Sequence, residues 1–245
     1  MAIEFKRNAI AGHTPEIWRG ECKILPGGFK PKNTIPVGTV LHRGILLEVN
    51  FEEMSAAVIK LAVILNGGTT TKPRIEKGHC FAVGDVVAKI GKDDKSVTIN
   101  AIDTSNAEYD VLTLSAAITG LAKDDVIVEA IDYGYIDAES STEGALKVVA
   151  DNPSDGQIAL ASVTPYLGEK TLAANDYVVL QKAGSKFTPN MVNGAVQEFN
   201  GKGIPAISAA YEAVVLYPSL GFPVLPEWLN GCCLKSNPNI LFIKQ

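Results

Sequence analysis

Histidines, cysteines and paired aspartates are where reactive chemistry would first show in this 245-residue chain. The three histidines are His13, His42 and His79. None has a second histidine three or four residues along, and none sits among acids at metal-ligand spacing. His79 and Cys80 place a base beside a nucleophile, but neighbours on an extended chain point to opposite faces. The four cysteines, Cys22, Cys80, Cys232 and Cys233, lack the two-residue gap of a zinc knuckle. Adjacent cysteines do not readily bridge each other, so all four read as free thiols of a reducing compartment. The pairs Asp93-Asp94 and Asp124-Asp125 fall in turn sequences, where acids are solvated.

Nucleotide motifs fail on spacing. The stretch NGGTTTKP (66–73) lacks the GxxxxGK[ST] pattern, and Pro73 stands where a phosphate-binding helix would continue. In NGKGIPA (200–206), Pro205 likewise stops a following helix. No GxSxG, HExxH or EF-hand pattern occurs. The expectation is a protein that is not an enzyme, with no catalytic, cofactor-binding or metal-binding residues.

What does recur is a short phrase, written four times: IPVGTVL at 35, FAVGDVV at 81, LAKDDVI at 121 and LAANDYV at 172. An apolar residue leads, and Gly, Asp or Asn follows three positions later. Those types tolerate turn conformations closed to other residues, and Asx side chains bond their own backbone. A β-branched or aromatic run comes next, as a strand begins. Each copy therefore predicts a turn feeding a strand, with the leading apolar residue anchored in the core. Gly38, Gly84, Asp85, Asp125 and Asp176 are its structural turn residues. The unequal intervals argue against a solenoid and for corners of one sandwich or barrel. The competing reading collects Asp85, Asp125 and Asp176 into a calcium site.

The elements around these corners are strands. Hydrophobic residues make up 47% of the chain and charged residues 20%, which excludes a disordered polypeptide. A net charge of −5 argues against nucleic acid bound through a basic face. No apolar run reaches the length of about 18 residues that a membrane helix needs, and the start lacks a signal-peptide core, so a soluble, non-exported chain is expected.

Three parts are expected: an extended N-terminal arm (1–34), a β-rich main domain (35–188) and a small β-rich C-terminal part (189–245). Glycines and prolines interrupt the arm, yet it carries Ile17, Trp18, Leu25 and Phe29 among its large apolar residues. Such a segment is laid on a surface, either a neighbouring subunit or its own domain. GTVLHRGILLEVN predicts a strand pair bending near Gly44. SAAVIKLAVILNGG fits helix and strand alike. SVTINAI, YDVLTLSAAI, VIVEAIDYGYI and DYVVLQKAG predict further strands, and 139–162 an exposed loop with a short helix or strand. In the last part, prolines exclude long helices, AAYEAVVLY and NILFIKQ predict strands, and PEWLNG a single helical turn starting at Pro226. The predicted fold is thus mainly β, a turn-rich barrel or sandwich.

The succession of arm, IPVGTVLHRG, FAVGDVVAKI and YDVLTLSAAITGLAKDDVIVEA resembles the head decoration and head-fibre proteins of tailed bacteriophages, and PEWLNGCCLKSNPNILFIKQ resembles the ending of virion proteins. The resemblance implies a non-enzymatic structural protein made in the host bacterial cytoplasm. It would sit on the capsid surface, usually as a homotrimer, with the major capsid protein as partner. The arm would make the capsid or subunit contacts, through Ile17, Trp18, Leu25 and Phe29, and its deletion would leave the β domain folded. The tail beyond Pro189 exceeds what a minimal decoration protein needs, so a fibre-base or adhesive role is an addition. The alternative class is a carbohydrate-binding or adhesive β-module contacting a host-surface glycan. Trp18 and Trp228, the two tryptophans, are few for sugar platforms.

Overall fold

The ambiguous segment SAAVIKLAVILNGG is two strands, Ser55–Val58 and Leu61–Leu65, separated by Ile59-Lys60, where the chain passes from one sheet into another. The computed structural model describes residues 16–26, 28–90, 96–130, 135–138, 145–164, 171–180, 185–200 and 206–244.

Leu61–Leu65 belongs to a closed barrel with Arg74–Glu76, Tyr109–Leu114, Val97–Asp103, Val86–Lys89 and Val126–Glu129, in that order around the ring. Every neighbouring pair is antiparallel. Ala62, Ile64, Ile75, Phe81, Val87, Val97, Ile99, Leu112, Leu114 and Ile127 fill one core cluster. Leu61 and Val128, paired across two adjacent strands, belong instead to a second cluster shared with the open sheet. These two barrel strands are thus covered on both faces, which explains their continuous apolar sequences.

The open sheet runs Leu229–Asn230, Cys233–Leu234, Ile240–Ile243, Ala209–Leu216, Met191–Asn193, Leu46–Asn50, Ser55–Val58, Lys30–Pro31. The two predicted C-terminal strands lie side by side, with Ala209–Leu216 and Ile240–Ile243 parallel. Pro226–Trp228 is the single helical turn expected there, in 3-10 form. Strands from 30–58 and 191–243 share this sheet, so the boundaries expected at 34/35 and 188/189 do not separate sheets.

A third sheet orders Tyr135–Ala138, Tyr177–Leu180, Leu146–Val149 and Gln157–Ala159, followed by the short helix Leu160–Val163. Val148, Val163, Leu172 and Val178 are its buried contacts.

One expectation is corrected. Val40–Leu41 and Leu46–Asn50 do not pair with each other, although Gly44 bends the chain between them with φ +84°. Val40–Leu41 pairs with Gln197–Glu198, and Leu46–Asn50 with Ser55–Val58 and Met191–Asn193. The register is long-range and leaves no trace in the local pattern. For the arm, a neighbouring subunit and its own domain are both expected surfaces. From Glu16 onward it lies on its own sheet: Lys23–Ile24 pairs with Ala209–Leu216, Trp18 bridges Val215 and Phe29 bridges Ile207. Phe29 is 2% exposed, and Ile17, Trp18 and Leu25 pack on the same core.

The four repeated phrases build the same corner. Positive φ falls on the fourth residue of each: Gly38 (+89°), Gly84 (+93°), Asp124 (+69°) and Asn175 (+85°). The next residue donates its N–H three residues back, at 3.2 Å each: Thr39 to Pro36, Asp85 to Ala82, Asp125 to Ala122 and Asp176 to Ala173. Positive φ at the third turn position alone is the type II signature, open to Gly, Asn or Asp. Three corners add a side-chain clasp, in which Oδ2 of Asp85, Asp125 and Asp176 accepts the N–H of Ala82, Ala122 and Ala173 at 2.6, 2.6 and 2.8 Å. The first corner has Thr39 in place of the aspartate.

Each corner is also latched to one buried residue, which lies in another strand in three cases and directly follows the strand Gln197–Glu198 in the first. Gly38, Gly84, Asp124 and Asn175 donate to the carbonyls of Phe199, Ile99, Ile64 and Val148. Those four residues return their N–H to the carbonyls of Thr39, Asp85, Asp125 and Asp176. The phrase encodes a turn that docks edge-on to a strand through two backbone hydrogen bonds.

Candidate functional site

Three adjacent barrel strands bring three charged side chains to one rim. Lys60 precedes Leu61–Leu65, Glu129 ends Val126–Glu129, and Asp85 precedes Val86–Lys89; antiparallel pairing puts those ends together. The Glu129 N–H donates to the Lys60 carbonyl at 2.9 Å, which fixes the register there. The Lys60 side chain has no exposed surface, and those of Asp85 and Glu129 are 8% and 6% exposed.

Lys60 Nζ lies 2.6 Å from Asp85 Oδ2 and 3.8 Å from Glu129 Oε2. Asn33, from the arm, donates to Glu129 Oε2 at 2.9 Å and to the Val58 carbonyl at 2.8 Å, while accepting the Val58 N–H. Burial pushes the Glu129 carboxyl above its ordinary value, against the opposing pull of Lys60. Cys80 sits close enough to feel both Lys60 and Asp85, and burial drives its thiol up to about 11. Near neutral pH such a thiol is held in its uncharged form, whereas the thiolate is the reactive one.

A second cluster lies on the neighbouring loop. Asp110 accepts from Lys77 Nζ at 2.5 Å and from His79 Nε2 at 3.2 Å. His79 Nδ1 accepts the Phe81 N–H at 3.2 Å, so the neutral tautomer protonated on Nε2 satisfies both contacts. Burial lowers the His79 pKa from 6.5, with Asp110 pulling the other way. The third aspartate pair, Lys89–Asp125 at 2.5 Å, is more open to solvent, at 15% and 23% exposure.

Between the barrel and the open sheet runs a groove of about 1080 Å³. Trp18, His42, Arg43, Glu76, His79 and Phe222 are among its lining residues. The Trp18 indole N–H is buried without a hydrogen-bond partner among the described residues.

The turn residues predicted from sequence stand at separate corners. Asp85 is committed to Lys60 and Ala82, Asp125 to Lys89 and Ala122, and Asp176 to Ala173. Among the described residues no group of three or more His, Cys, Asp or Glu side chains could hold a metal ion. The arm residues Ile17, Trp18, Leu25 and Phe29 lie against this chain's own core, with Ile17 and Trp18 also lining the groove. Of the phosphate-loop candidates, 201–205 lies outside the described residues.

Sequence reasoning passed over Lys60, Glu129 and Asn33. One signal was available: a lysine and a glutamate each interrupt an otherwise apolar strand segment, VIKLAV and VIVEAI, and charges in such places are seldom left unpaired.

The chain matches no protein-family model, no curated protein and no solved structure.

Proposed function

We propose that this protein is a non-enzymatic structural component of a tailed-phage virion, decorating the capsid surface or forming the base of head fibres. The observation that carries the reading is the set of four latched corners. Each reactive residue type in the repeated phrase is spent on backbone geometry or on an internal ion pair, as a load-resisting scaffold requires. Asp110, Lys77 and His79 are likewise engaged with one another.

The partners in this reading are the major capsid protein and two further copies of the chain. Its arm anchors are largely covered within one copy, so the trimer rests on the resemblance and on the apolar side chains left exposed. Those include Ile24, Val37, Phe51, Met54, Val83 and Val196. Val37 and Val83 stand at the tips of two corners, where a neighbouring subunit would meet them. Exposed groups of this kind, when gathered at one place, mark interaction surfaces.

The test is co-sedimentation of the purified full chain with phage capsids stripped of their decoration, with light scattering for the free state. Saturable binding and a trimer are expected. A monomer that leaves capsids bare would remove the proposal.

A second reading follows from the groove. Its volume suits a small ligand, and Trp18 offers an aromatic face beside polar His42, Arg43 and Glu76. This favours a glycan-binding or adhesive module. A glycan array answers it: specific binding abolished by Trp18→Ala supports this reading, and a blank array rejects it.

A further inference from the structure

We propose that Lys60 and Asp85 become joined by an intramolecular amide bond between their side chains, with Glu129 as the proton-transferring group. The inference is independent of the virion reading, since it rests on one buried cluster.

Two charges enclosed at a barrel rim carry a desolvation penalty that their mutual attraction does not dependably recover. Condensing them to an amide abolishes both charges. The amine and carboxyl are already in contact, with Lys60 Nζ at 2.6 Å from Asp85 Oδ2, and the carboxyl carbon is one bond beyond that oxygen. Positioning of reacting groups at this range supplies much of the barrier reduction in intramolecular reactions.

The atoms balance without any other reactant. Proton transfer within the pair turns ammonium and carboxylate into amine and carboxylic acid. The Lys60 nitrogen lone pair attacks Asp85 Cγ, forming the C–N bond and pushing the carbonyl electrons onto oxygen. The proton goes to Oδ2, the oxygen that Nζ contacts, so Oδ2 is the hydroxyl that will leave and the negative charge develops on Oδ1; the Ala82 N–H, 2.6 Å from Oδ2, holds the carboxyl in place for the attack. Glu129 takes the proton shed by nitrogen and passes it to the departing hydroxyl. The C–O bond breaks, and one water leaves.

Glu129 suits that part. Its Oε2 is 3.8 Å from Lys60 Nζ, Asn33 holds it in place, and burial raises its pKa, which makes its carboxylate a better proton acceptor. The chain also supplies its own comparison. Lys89–Asp125 repeats the lysine–aspartate contact at a corner of the same design, but it is partly solvated. That pair is expected to remain ionic.

Intact-mass measurement of the denatured full chain tests the proposal. The expected mass is short of the sequence mass by one water, and trypsin fails to cut after Lys60. A branched peptide then joins the segments carrying Lys60 and Asp85. Glu129→Gln is expected to restore the full mass, and Asp85→Asn to give the same linkage with ammonia lost instead. A wild-type chain at full sequence mass, cleaved normally at Lys60, overturns the bond. So does a water loss that maps to a cyclised aspartate or to any other pair. A bond that persists in Glu129→Gln overturns the role of Glu129.

Discussion

Gly84 and Ile99 clasp each other's strands. The Gly84 N–H donates to the Ile99 carbonyl at 2.8 Å, and the Ile99 N–H returns to the carbonyl of the next residue, Asp85, at 2.9 Å. Gly84 holds φ +93°, and no atom lies within 4 Å of where its Cβ would stand. A side chain there would meet conformational strain alone. Gly84→Val is therefore expected to cost more than about 1 kcal/mol in urea unfolding. Gly84→Asn should cost less, because Asn175 and Asp124 fill the equivalent place in two other corners. Equal stability of Gly84→Val and wild type would refute the account.

The aspartates of the corners look equivalent in sequence and are not equivalent in the fold. Asp176→Ala removes an exposed turn clasp and should cost about 0.5–1.5 kcal/mol. Asp85→Ala also strands the Lys60 ammonium in a closed site, where loss of one partner typically costs about 3–5 kcal/mol. As a turn residue alone, Asp85 would carry only the smaller cost. Denaturation midpoints of the two variants, compared side by side, decide between them.

From Glu16 onward, the described residues of the arm are part of the folded unit. Phe29 is buried, meets Phe51 edge-on with centroids 5.9 Å apart, and bonds its backbone to Ile207. Phe29→Ala should cost about 3–5 kcal/mol. Deleting residues 1–34 should unfold the open sheet rather than leave a folded β domain, because Lys30–Pro31, Phe29 and Asn33 go with it. A truncated chain with a native-like circular dichroism spectrum and cooperative melt would contradict this.

His79 gives a signed pH dependence. Its folded pKa is held below 6.5 by burial, so the unfolded chain binds more protons in the interval beneath that value. The His79 contribution to stability is then fully present above pH 6.5 and is lost as pH falls through the folded pKa. Asp110 and Lys77, the charged groups facing it, keep their contacts in His79→Gln. That variant should show a shallower fall of melting temperature over the acid side of this interval. An unchanged slope would mean that His79 does not set it.

Thiol accessibility should split the cysteines. Cys232 is exposed, whereas Cys80 is buried with its thiol raised to about 11. A thiol reagent at about pH 8 should modify Cys232 in the native protein and reach Cys80 only on unfolding. Native-state labelling of Cys80 at a comparable rate would show that its site opens.

The corners were legible in the sequence because everything that makes them lies within four residues. An apolar anchor, a residue tolerant of positive φ and an aspartate reaching back three positions are local facts, and local sequence states them. The strand-rich character and the terminal strands were legible for a similar reason, since period-2 patterning follows from one residue's relation to its neighbours.

Tertiary structure alone decided what those corners hold together. Leu61–Leu65 gave no clear period because it is covered on both faces, by the barrel interior and by the open sheet, so no polar alternation survives. The pairing of Leu46–Asn50 with Met191–Asn193 and the parallel pairing of Ala209–Leu216 with Ile240–Ile243 join distant segments, and nothing local specifies the partner. Lys60 reads as one polar residue in an apolar run. It becomes the centre of a buried cluster only when antiparallel register carries Asp85 and Glu129 to the same rim, and the arm brings Asn33 over them. Charges placed by register are invisible to composition and spacing, because the electrostatic cost that binds them arises only once water has been excluded.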